Sequence, residues 1–99
     1  MQVVENWSRI AGRVESWTPP KDADGHGELV VRVEKVSDVK GHPNLLEKAE
    51  GTTLRVRVPP SAASKIDPAE GAAVTVDVRR GRDAGVVFAN PETLRVRSR

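Results

Sequence analysis

The chain has 99 residues, room for one domain spanning residues 1–99 and not for two. It has no cysteine, which excludes a disulfide framework and thiolate metal sites. The formal net charge of +2 falls short of the strongly basic balance of a dedicated nucleic-acid protein, and no apolar run approaches the roughly 18 residues of a membrane span. The first ten residues carry no basic segment followed by an apolar stretch, so a cytoplasmic protein without membrane contact is expected. The charge is unevenly spread: residues 1–51 hold 7 Lys and Arg against 9 Asp and Glu, and residues 52–99 hold 9 against 5. Nearly all of the later cations are Arg, whose planar fork suits phosphate and carboxylate better than Lys does.

Five segments alternate apolar and polar residues, the period of half-buried strands. The first, residues 8–17, puts Ile10, Gly12 and Val14 on one face and Arg9, Arg13 and Glu15 on the other. The second, 28–36, turns Leu29, Val31 and Val33 inward and Arg32 and Glu34 outward. In the third, Leu54, Val56 and Val58 alternate with Thr53, Arg55 and Arg57. In the fourth, Val74, Val76 and Val78 alternate with Thr75, Asp77 and Arg79. The last sets Leu94 and Val96 between Thr93, Arg95 and Arg97, with the apolar piece 86–88 beginning the return into it. Val dominates these faces and is β-branched, which favours a pleated surface over a helix.

The breaks are equally readable. Thr18-Pro19-Pro20 ends the first strand, and Asp24-Gly25-His26-Gly27 turns into the second. Gly41-His42-Pro43-Asn44 opens a longer connection that closes at Gly51, and residues 45–49 suit a helical turn within it. Pro59-Pro60 stops the third strand, because proline cannot donate to the ladder, and residues 61–65 then read as a short helix before Asp67-Pro68. Gly81 and Gly85 bracket a turn, and Asn90-Pro91 marks the final entry. The order is three strands, a short helix and two strands, with Gly12 where a strand must bend to join two sheets. This all-β pattern resembles the OB-fold, a small five-stranded Greek-key barrel with its helix between the third and fourth strands. An SH3-like barrel is the main rival and is disfavoured by that helix; a six-stranded sandwich is the other.

Catalytic and metal signatures are weak. Asp22, Asp24 and Gly27 match the first, third and sixth positions of a calcium loop, but His26 stands at the fifth and Val33 at the twelfth, where a bidentate Glu belongs. A solvated turn is the better reading. His26 and His42 are the only imidazoles, each in a Gly-flanked loop. Ser61 and Ser64 lack a nucleophile-elbow context. No enzyme activity and no cofactor are therefore expected.

The arginines are the more informative set. The OB resemblance implies an oligonucleotide site on the second and third strands, flanked by the first and last inter-strand loops. Those positions carry Arg32, Arg55, Arg57, Lys21, Arg79, Arg80 and Arg82. Guanidinium groups there could fork onto the phosphates of DNA or RNA and stack on bases. Against this, outward positions must be polar in any case, and Glu28, Glu34 and Asp77 could neutralise their neighbours across the strands. Phe88, in its apolar run, is expected in the core. Trp7 and Trp17 share the parity of Arg9 and face outward unless a bulge at Gly12 turns one of them in. Trp17 is then a stacking residue, and Trp7 an end cap of the barrel. The expected role is a non-catalytic binding module for single-stranded or structured nucleic acid. The alternative is a protein-interaction or accessory-subunit module, binding a partner or itself without nucleic acid.

Overall fold

The computed structural model describes residues 6–22, 25–39, 41, 49–63, 65–66, 68–80 and 86–97. The strands are β1 (Ser8–Thr18), β2 (Gly27–Asp38), β3 (Thr53–Val58), β4 (Ala73–Arg80), β5 (Val86–Ala89) and β6 (Arg95–Arg97), with a four-residue helix α1 (Pro60–Ala63) between β3 and β4. His42, Ser64, Arg82, Asp24 and residues 45–48 of the expected helical turn lie outside the described residues. Among the described residues no helix is long and apolar enough to cross a membrane.

The sheet runs β1-β2-β3-β5-β4, and β4 pairs back onto β1, so five strands close into a barrel with β6 as an extra strand on β4. All pairings are antiparallel except β3 with β5. The alternating residues fill the interior as their period requires: Ile10, Leu29, Val31, Val56, Val58, Val76 and Val78 are fully buried. Each such side chain contributes about 1.5–3 kcal/mol by leaving water. α1 forms where Pro59 and Pro60 end the β3 ladder. The amides of Ala62 and Ala63 both donate to the Pro59 carbonyl, and both alanines are buried against the core.

One expectation is corrected here. The last alternating segment is not the strand that closes the barrel. β5, the short apolar piece, sits between β3 and β4 and closes it, while β6 continues along the same edge of β4. Between the two the register on β4 slips by three residues. The interruption falls at Asn90-Pro91, where proline removes a ladder donor. The extra residues are fastened to β4 at Asp77. The Asn90 amide donates to the Asp77 carbonyl (2.8 Å) and the Asp77 amide to Thr93 Oγ1 (3.0 Å).

β1 is bonded along both edges, to β2 and to β4. Its pairing with β2 contains two bulges, with Glu34 as the extra residue on β2 and Glu15 as the extra residue on β1. At Gly12 the strands approach so closely that a Cβ would overlap the carbonyl oxygen of Arg32. The bulge at Glu15 resets the parity of β1. Trp17 therefore stands opposite Leu29 on the inner side, half-buried against the core, with its ring over Gly27 where a Cβ would overlap it. Trp17 is thus turned inward, by a bulge three residues beyond Gly12.

Overpacking a tight site costs about 1–3 kcal/mol. Gly12→Ala is expected at the upper end, because its obstacle is ladder backbone, and Gly27→Ala lower, because an indole can tilt. Urea unfolding of both variants checks the order; a Gly12→Ala protein as stable as wild type would contradict the close approach of β1 and β2.

Candidate nucleic-acid interface

Interior packing decides which side chains of β5 reach the surface. Val87 and Ala89 are buried, so Phe88 between them points out and is half-exposed. This overturns its expected place in the core. Its cross-strand neighbours are Arg57 on β3 and Arg79 on β4, giving an Arg–Phe–Arg row across three adjacent strands. The Arg79 guanidinium carbon lies 5.5 Å from the Phe88 ring centroid, a cation–π distance.

Trp7 extends the row on the far side of Arg79. Its placement follows from its neighbours. Ser8 is fully buried and paired with Val78, and the Asn6 side chain imitates a strand residue. The Arg80 amide donates to Asn6 Oδ1 (2.8 Å), and Asn6 Nδ2 donates to the Arg80 carbonyl (3.3 Å). With 6 and 8 held, residue 7 alternates outward and is half-buried at the side of Arg79. Trp7, Arg79, Phe88 and Arg57 line a surface hollow of about 500 Å³, with His26, Pro59 and the turn 90–92 around its edge. Its size lies within the range of small-ligand sites.

Charge divides sharply among the outward cations. Glu28 stands directly opposite Arg57, yet its carboxylate turns diagonally to Arg55, whose Nε donates to it at 2.6 Å. Asp77 is buried at 8% side-chain exposure and accepts from Arg9 through both carboxylate oxygens, at 2.8 and 3.3 Å. That bond, and then the charge behind it, raise the Arg9 pKa above its ordinary value and keep the guanidinium charged. Glu34 faces Arg13 at a loose 3.8 Å, with both side chains more than half exposed, so that pair contributes little. Among the described residues no carboxylate lies within ion-pair distance of Arg57, Arg79, Arg80 or Arg32. Glu92, at the rim, is the acidic member of the hollow.

The sequence-derived candidates therefore separate. Arg57 and Arg79 come together at the hollow. Arg55 is on the same outer face but engaged by Glu28. Arg32 stands opposite Arg13 on the β1–β2 side, and Lys21 is exposed in the connection between β1 and β2. Arg80 follows Arg79 on the opposite side of β4, exposed at the barrel mouth. Trp17 lies over Gly27, and Arg82 is outside the described residues. Phe88 was missed because the continuous run Val86-Val87-Phe88-Ala89 carries no alternation from which to read a face.

Comparison with protein-family models, curated proteins and solved structures gave no match to this chain.

Asn6→Ala should leave the Arg80 amide and carbonyl without their side-chain partner. The expected loss is about 1–2 kcal/mol of stability. Hydrogen exchange at the Arg80 amide should accelerate, and unchanged protection would show that Asn6 does not set the position of Trp7.

Proposed function

We propose that this protein is a non-catalytic binding module of the OB type, and that it takes single-stranded nucleic acid on the outer face of β3, β5 and β4. The OB reading is supported by the strand order, by closure of β4 onto β1, by the parallel β3–β5 pair and by the helix between β3 and β4. The observation that carries the function is the row Arg57–Phe88–Arg79, with Trp7 beside it and both guanidinium groups free of carboxylate partners among the described residues. Partly exposed rings offer bases a stacking surface, and flanking arginines with no carboxylate partner among the described residues suit the phosphates. A duplex hides the faces of its bases, so the single strand is the form this row fits. The proposed surface lies one strand away from the β2–β3 surface that OB-folds commonly use. Here that neighbouring surface is partly neutralised by Glu28 on Arg55.

The test is a fluorescence-anisotropy titration of labelled single- and double-stranded oligonucleotides. Two phosphate contacts to a single strand give an affinity that falls about sevenfold between about 50 and 200 mM salt, from a slope of about −0.7 per contact. Arg57→Ala and Arg79→Ala should each weaken binding and roughly halve that slope, as one of two contacts is lost. Phe88→Ala should cost about fivefold or more, from the 1–3 kcal/mol of a stacked base, with the slope unchanged. Arg32→Ala, outside the hollow, should bind as wild type. No binding at the lower salt would refute the proposal and direct the search to a protein partner.

A further inference from the structure

A second hollow of about 500 Å³ adjoins the first, and the two share Pro91 and Glu92 as lining residues. Its floor is apolar: Ala62 and Leu94 are buried and Ile66 is half-buried. Its rim carries Ser61, Lys65 and Arg95. Among the described residues neither cation has a carboxylate within ion-pair distance.

The backbone of Lys65 and the guanidinium of Arg95 are held in place. Lys65 leaves the end of α1 with its amide bonded to the Ala62 carbonyl (2.9 Å). One terminal nitrogen of Arg95, Nη1, donates to the carbonyls of Glu92 and Leu94 at 3.0 and 2.9 Å. The guanidinium is therefore held against the turn, and its other nitrogens make no hydrogen bond to the described residues. The ridge between the hollows is braced as well. The Glu92 amide donates to Asn90 Oδ1 (3.0 Å), and the whole turn is fastened to Asp77 on β4.

We propose that the second hollow is a further subsite for the same single strand, which crosses the Pro91–Glu92 ridge and places its next phosphates on Lys65 and Arg95. This inference rests on the reading of the first hollow given above. Continuity through the shared ridge, cations of the same sign and an apolar floor for a base or sugar favour nucleic acid over a peptide here. The Glu92 carboxylate repels phosphate, so a base rather than a phosphate lies over the crest.

The experiment follows backbone amide signals by NMR while oligonucleotides of about 4 and about 12 residues are added, one at the lower end and one in the upper half of the range of site sizes for such barrels. The short strand should shift amides around Trp7, Arg79 and Phe88 alone. The long strand should also shift those of Ser61, Lys65, Ile66 and Arg95. In parallel, Lys65→Ala should weaken the long strand at low salt and make its salt slope shallower by about 0.7, as one phosphate contact is lost, and leave the short strand unchanged. Glu92→Gln should tighten the long strand by removing the repulsion. If the long strand shifts only the first set and Lys65→Ala binds it as wild type, the second subsite is wrong and the first hollow stands. If neither length shifts either set, the nucleic-acid reading itself fails.

Discussion

β1 is hydrogen-bonded along both of its edges, and closure of the barrel depends on that double pairing. Residues 8–13 meet β4 on one side while the length of the strand meets β2 on the other. A strand shared in this way must bend, and Gly12 allows it by bringing the Arg32 carbonyl into space a Cβ would fill. The bulges at Glu34 and Glu15 add twist on either side of that point. With β1 bent, β4 can reach it, and the gap left between β3 and β4 is one strand wide. A strand that pairs on both sides loses no ladder bond to solvent, which is why the four residues of β5 hold their place.

The surface chemistry follows from that closure. Two residues of β5 enter the interior, so the one between them is driven out, between an arginine of β3 and an arginine of β4. β3 and β4 each alternate Val with polar residues, and the arginines occupy outward positions because the valines occupy inward ones. No further interaction is needed to assemble the row; it is a by-product of core packing and register. Asp77 performs a second task on the same face. Its backbone fastens the turn 90–93, and its side chain is held by Arg9, so the turn stands as a ridge beside the row.

Pairing among the charges then selects which cations remain available. Glu28 stands opposite Arg57 across the β2–β3 pair but engages the diagonal arginine, Arg55, and leaves Arg57 with no carboxylate partner among the described residues. Exposed ion pairs of this kind stabilise a fold little, so their effect is on the field at the surface more than on stability. A net charge of +2 for the whole chain hides this separation completely.

The strands at 8–18, 27–38, 53–58 and 73–80 are legible in the residues alone to within a residue or two, as are the helix after Pro59 and the inward valines. Strict alternation and proline punctuation are local signals that packing has no reason to override. The same alternation sets the cations on outward positions. Tertiary structure alone decided which strand closes the barrel. The alternating segment around Val96 resembles a closing strand as much as the run around Phe88, and only the pairing partners of β3 and β4 distinguish them. Tertiary structure likewise turned Trp17 inward, because a one-residue bulge at Glu15 inverts every later side chain and leaves no mark in the composition. It also brought Trp7, Arg57, Arg79 and Phe88 together. They are distant in sequence, and their meeting depends on a register fixed by interior contacts that no local pattern encodes.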